Sequence, residues 1–345
     1  MGVVKVAFWA AVAAGPLALL VLALGIWAPG VVEQVYSRGL YAFFSPLVSR
    51  FVALIPFPLA PLLLVLGLAA VVGAFFVHPK AWMGVLAALS VLIAWFILGW
   101  GLNYQRLSWA DNVGWTVRGG TVPDLGNLAK TLALRAGVLR EQAWKDGPPD
   151  WVKLVKDIPR AYERASVRWP LLEGRYPGPK AAPGNELFSW MGIAGIYLPF
   201  TGEPLVNMGP GGWTLPFTAA HESAHLHGWA REDEANFLAF LVLEDCGDPR
   251  LEYSAFSMAL LYVAEALQAQ EPAGAALWQK IAQTLPPHVV EDWKAYFAYW
   301  DRFKGPVQKA ALAVNDAYLK AQGQADGVKS YGRMVDLLLA WETVP

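Results

Sequence analysis

His221-Glu222-Ser223-Ala224-His225 brings two imidazoles and a carboxylate together at a spacing that suits one kind of chemistry. On a helix, residues four apart stack on one face, so His221 and His225 can reach the same metal ion. Glu222 stands about 100° further round, beside the metal rather than on it. A general base must stand there to take a proton from water that the metal has activated. The chain has five histidines, and three of them fall between 221 and 227. At those frequencies the pattern would arise by chance in only about a few chains per thousand, so it is a strong signal.

The next residues extend it. Gly228 stands three past His225, where a left-handed residue can end one helix and turn the chain. A second apolar-periodic stretch opens near Arg231 and runs to Glu244. On that helix Glu232, Asn236, Ala239 and Leu243 share a face, whereas Glu234 points away with Leu238 and Leu241. Glu232 is therefore the expected third ligand, giving a His-His-Glu site with a fourth position open. Glu234 is the alternative ligand if the turn is wound differently. Asn236, one turn along, could accept a hydrogen bond from a ligating imidazole. Acidic residues at 232–234 would also complement a helix dipole, but the two histidines upstream favour ligation. His227 faces away from His225 on a continuing helix and has a structural reading beside a substrate-binding one. A di-iron site would need a second E-x-x-H, and only Glu222-x-x-His225 occurs.

What must hold these residues is unusual in composition. Of 345 residues 56% are hydrophobic and 16% charged. Residues 1–103 hold only Lys5, Glu33, Arg38, Arg50 and Lys80. The break near Asn103 divides a membrane domain, 1–103, from a domain of 104–345 that is long enough to bury a sizeable core. Spans are expected at about 6–27, 59–77 and 81–102. His78-Pro79-Lys80 closes the second and third into a hairpin. Trp27, Trp82, Trp95 and Trp100 lie near span ends, where indoles favour the headgroup layer. The first span reads as an uncleaved anchor, being long for a signal peptide and lacking a small-x-small exit. Residues 31–55, apolar but broken by Glu33, Arg38, Pro46 and Arg50, read as an interfacial segment or one packed on the second domain.

Helical periodicity marks 124–138, 149–168, 218–228, 231–244, 254–268 and 306–320. Pro and Gly mark loops at 173–184 and 202–216. Residues 193–198 form the best strand candidate, with Gly195 allowing close backbone approach. The fold expected is mainly α: three membrane helices followed by an α+β domain with a small sheet. Cys246 is alone, so no intramolecular disulfide can form; a small core residue is its expected role. A net charge of -1 argues against nucleic acid as a partner. No phosphate-binding Gly-rich loop or G-x-S-x-G elbow occurs.

His221-Glu222-x-x-His225 followed by Glu232-x-x-Ala235-Asn236 resembles the Glu-ligated zinc metallopeptidases, including those of membranes. Two departures stand out: Asn236 replaces the usual Asp, and the spacer from His225 to Glu232 is short. The chain is also similar to a bacterial family of three-pass membrane proteins of unknown function with a zincin-like domain. Trp100-Gly101-Leu102-Asn103-Tyr104, Pro199-Phe200-Thr201-Gly202-Glu203, the 221–236 block and Ser330-Tyr331-Gly332-Arg333 carry that similarity. It implies a peptidase class without a known substrate.

The expectation is a membrane-anchored zinc metallopeptidase acting on a membrane-proximal peptide or protein. Zinc sits on His221, His225 and Glu232, and Glu222 serves as general base. Tyr197, His227, Tyr331 and Arg333 are candidates for stabilising the oxyanion. The alternatives are a membrane-tethered binding or regulatory module with a non-catalytic zinc site, and a zinc amidohydrolase of a non-peptide amide. The weak charge bias places the amino terminus in the cytoplasm and the second domain outside the cytoplasmic membrane.

Overall fold

The computed structural model describes residues 2–77, 80–322, 324 and 333–343. It divides into two compact units, 1–107 together with 197–203, and 108–196 together with 204–345. The expected loop at His78-Pro79 lies outside the described residues.

In the first unit, α1 (Gly2–Gly25) is followed by a helical run made of Pro29–Val31, a π-helix over Val32–Tyr41, and α2 (Ala42–Ala53). Next come α3 (Leu59–Val77) and α4 (Ala81–Gly99). Among the described residues, three helices are long and apolar enough to cross a membrane: Lys5–Gly25, Leu59–Val77 and Ala81–Gly99. The third ends short of the expected 102. Trp100 leaves helical geometry at φ -159°, and Gly101–Gln105 forms a 3₁₀ turn. A Cβ at Gly101 would lie 3.0 Å from the Phe96 ring, so a larger residue in this turn would have to displace that ring.

Where α1 meets α4, Pro16 has no N–H for the carbonyl of Val12. The Ser90 hydroxyl donates to that carbonyl instead (2.7 Å) and accepts from the Gly15 amide (2.8 Å). A helix in hydrocarbon needs such a substitute, because no water is there to supply one. Glu33 and Arg106 form a buried bidentate pair at 2.7 and 2.8 Å, so neither charge is left alone. Residues 197–203 complete this unit. The Glu203 carboxylate accepts from the amides of Leu59 (2.9 Å) and Ala60 (2.9 Å) and from the Thr201 hydroxyl (2.7 Å), capping the amino end of α3.

The second unit is built on α5 (Val122–Ala143), opened by a Thr121–Asp124 capping box, and α6 (Ile158–Arg168). After these come strands β1 (Lys180–Ala181), β2 (Gly195–Leu198) and β3 (Glu203–Val206), of which residues 197, 198 and 203 are assigned to the first unit. The longer helices that follow are α7 (Thr214–Leu226), α8 (Glu232–Leu243), α9 (Pro249–Ala269), α10 (Ala273–Ala282), α11 (Pro287–Asp301), α12 (Pro306–Ala321) and α13 (Met334–Glu342). Leu128, Leu132, Phe237, Phe240, Ala259 and Leu260 are among its fully buried core side chains. Asp292 of α11 ties the core together. It takes Arg140 Nε at 2.6 Å and the Tyr253 hydroxyl at 2.7 Å, and its carbonyl takes Trp213 Nε1 at 3.2 Å.

The sheet has the order β1-β3-β2, with β1 parallel to β3. β1 and β3 correct the sequence reading, which left both in loops. Pro204 lies within β3, the central strand, where a missing N–H argues against strand. β1 has only two residues and sits among prolines. Helices α10, α11 and α13 also lie beyond the six helical stretches expected.

Candidate metal centre

α7 brings His221 and His225 onto one face, a turn apart, with Glu222 beside them; every residue of the helix except Thr218 is buried. It ends as expected on Gly228, at φ +85°. The Gly228 amide donates to the His225 carbonyl (2.9 Å) and the Trp229 amide to that of Ala224 (3.0 Å), a Schellman turn. Trp229 is fully buried with its ring 5.1 Å from that of Trp109. This fixes the Trp229 carbonyl, which lies 2.8 Å from His225 Nδ1. His225 Nδ1 therefore donates to that carbonyl, and Nε2 is the nitrogen turned to the cluster.

The turn delivers Glu232 at the first position of α8. Its Oε2 lies 3.2 Å from His221 Nε2 and 3.6 Å from His225 Nε2, while the two Nε2 atoms are 3.2 Å apart. One donor atom from each lies within 4.8 Å of the others, and all three residues are buried. Burial alone would lower the His225 pKa, but the Glu232 carboxylate beside it raises it to about 9. Burial would raise that of Glu232, and His225 and His221 instead hold it far below the usual carboxylate range. The three donor atoms thus converge on a position where a positive charge, a proton or a metal ion, is favoured. Two imidazole nitrogens and one carboxylate oxygen make a donor set that fits a divalent cation such as zinc.

Glu222 is buried next to this cluster and contributes to the field at His225. Gly195 lies directly against it. A Cβ at 195 would come within 2.5 Å of Glu222 Oε1 and 2.8 Å of Thr218 Cγ2. The first residues of β2, at the edge of the sheet order, thus run over the carboxylate, held there by the Asn207 amide donating to the Ala194 carbonyl (2.8 Å).

The other candidates lie as follows. Glu234 is turned from the cluster: its Oε1 accepts from the Trp109 amide (2.7 Å) and from Arg231 Nη1 (3.1 Å). Asn236 shares a hydrogen bond with the Tyr262 hydroxyl, while His221 Nδ1 has no hydrogen-bond partner among the described residues. The support expected of Asn236 is thus given to His225 by the backbone of Trp229. His227 stacks on Tyr162 (4.2 Å, 15°) with Tyr176 at 4.3 Å, and burial depresses its pKa to about 3. Burial favours its neutral form between the two tyrosine rings. Tyr197 belongs to the first unit, its hydroxyl 3.4 Å from that of Tyr41. Arg333 is half-exposed, with Nε 3.7 Å from Asp233 Oδ2. Tyr331, with Ser330 and Gly332, lies outside the described residues.

Two contributors were not foreseen, Tyr262 behind Asn236 and Gln324, whose Oε1 lies 3.4 Å from the Glu232 amide. Both come from distant parts of the chain, and no local pattern marks them.

The family model described as "Protein of unknown function (DUF3810)" matches residues 36–339. The chain belongs to this family. The match takes in His221, Glu222, His225 and Glu232 and begins within the helical run after α1. No curated protein and no solved structure matches the chain. The family description names no activity, so a chemical reading rests on the geometry above.

Proposed function

We propose that this chain is a membrane-anchored zinc metallopeptidase. The observation that carries the reading is the convergence of His221, His225 and Glu232 beside Glu222, with the Gly195 backbone laid against that base. His221 Nε2, His225 Nε2 and a Glu232 carboxylate oxygen would hold the ion, and a zinc ion so held acts as a Lewis acid that makes water a nucleophile near neutral pH. A purely structural site has no use for a buried carboxylate beside its ligands. Glu222 accepts the proton of the attacking water on its carboxylate and returns it to the leaving amine. The edge position of β2 offers backbone groups to an extended peptide, and the absence of a side chain at 195 lets that backbone lie against the base without displacing it.

The test uses the full chain in detergent or nanodiscs. Wild type and Glu222→Gln should each carry about one zinc, and His221→Ala should carry none. A diverse peptide library should be cleaved by wild type and left intact by Glu222→Gln. Equal cleavage by both would sink the peptidase reading. Metal without any cleavage by the wild type would favour a binding module. Hydrolysis confined to non-peptide amides would favour an amidohydrolase.

A further inference from the structure

The helical run from Pro29 to Ala53 is inside out by the standards of a protein in water. Glu33, Ser37, Tyr41, Ser45 and Ser49, each four residues from the last, are buried. Leu40, Phe43, Leu47, Phe51 and Leu54, at helical spacing on the other side, are exposed, Phe43 at 74% and Phe51 and Leu54 at 78%. The buried stripe is satisfied: Glu33 by Arg106, Ser37 by its hydroxyl donating to Asn103 Oδ1 (2.8 Å), and Tyr41 by Tyr197. An amphipathic helix with its polar face inward and its apolar face outward is partitioned for hydrocarbon, not water.

The run also begins and ends on one side of the candidate spans. α1 and α4 run in the same direction, since Gly15 meets Ser90 and Gly25 approaches Gln105, just past the end of α4. Glu203 caps the start of α3, and three residues before it the Phe200 carbonyl accepts from Trp95 in the last turns of α4. The end of α1, the start of α3 and the end of α4 therefore share a side. The 25 residues between span roughly 37 Å of helix without changing sides. Trp27, 87% exposed just before the run, sets its level, because indoles settle at the headgroup layer.

We propose that the Pro29–Ala53 run is an in-plane lipid-binding surface. Leu40, Phe43, Leu47, Phe51 and Leu54 insert among the acyl chains of the leaflet into which α1 and α4 emerge. The stripe continues the apolar surface of the three spans, which argues for lipid as its occupant. Arg38 and Arg50, exposed in the same run, can reach phosphates by snorkelling. The assignment does not rest on the metal centre or on any hydrolytic activity.

Site-directed spin labelling of the full chain in phosphatidylcholine–phosphatidylglycerol nanodiscs tests it. Single cysteines at 43, 47, 51 and 54 in a Cys246→Ala background should all show collisions dominated by oxygen over a water-soluble nickel chelate, at one shared shallow depth. A label at Val314, exposed in the other unit, should show the reverse. Nickel-dominated collisions along the stripe would overturn the proposal. So would low collision with both reagents, which means a protein cover, or a depth that grows steadily from 43 to 54, which means a crossing. Should the cysteine variants misfold, photoreactive acyl-chain phosphatidylcholine can be applied to the wild type. Adducts within 40–54 are then expected, and adducts confined to the three spans would refute the assignment.

Discussion

At the residue scale, the position least tolerant of change next to the metal ligands is Gly195. It needs no positive φ; what it needs is the absence of a side chain, because the nearest atoms to a Cβ belong to Glu222. Gly195→Ala should leave zinc content unchanged and reduce peptide cleavage by about tenfold or more, since displacing a base by even about 1 Å is costly. Metal analysis beside a cleavage assay reads this directly, and a variant with full activity would remove Gly195 from the site. The two acidic neighbours also separate by experiment. Glu232→Ala should lose zinc. Glu234→Ala should keep zinc and lose stability instead, because its carboxylate holds the Trp109 amide and Arg231.

Glu244, on the turn after α8, gives a pH signature. Burial and the nearby Asp245 raise its pKa to about 7. Between roughly pH 4.5 and 7 the folded state therefore binds more proton than the unfolded one, so this group's contribution to stability falls as pH rises. Glu244→Gln should remove that slope and raise Tm at pH 8 by a few degrees, with little effect at pH 4.5. A parallel shift at both values would mean that the carboxylate is not the cause.

At the scale of elements, the sequence was most readable where chemistry and periodicity coincide. His221 to His225 fixed a helix and a face, Gly228 marked its end, and the acidic start of α8 ranked Glu232 above Glu234 by helical angle alone. Angle did not reveal which group would steady His225. That role fell to a main-chain carbonyl, held by two tryptophan rings 120 residues apart in sequence. Composition named the three apolar helices well and their ends less well, because α4 stops where Trp100 leaves helical geometry and not where polarity begins. β3 was hidden by Pro204, and β1 by its length. The capping of α3 by Glu203 was equally hidden, since it joins residues 144 apart. Glu203→Ala should lower the stability of the full chain by about 0.5–2 kcal/mol, as for loss of a helix cap. Thermal unfolding in detergent measures it, and an unchanged Tm would show that solvent replaces the carboxylate.

At the scale of the whole molecule, three candidate spans and a helical run that does not cross would leave the amino terminus and residues 204–345 on opposite faces of a membrane. On the positive-inside rule, weighted to Lys5 and Lys80 in short segments, we propose that the amino terminus lies in the cytoplasm. Protease added to intact, wall-stripped cells should then degrade epitopes beyond residue 204. Protection until lysis would reverse the orientation and move the substrates to the cytoplasmic face.

The division of the chain also has a bearing on how it is made. The first unit is not finished when its last helix leaves the ribosome, because residues 197–203 belong to it. The amides of Leu59 and Ala60 wait about 140 residues for the Glu203 carboxylate, on the order of ten seconds of synthesis at ordinary elongation rates. Until then the start of α3 is uncapped and must be tended by water, headgroups or the insertion machinery. A chain released before residue 203 is therefore a nascent membrane domain missing its clasp. Expressing residues 1–107 alone would reproduce that unfinished intermediate, and a peptide of residues 197–203 supplied in trans is the natural piece with which to attempt its completion.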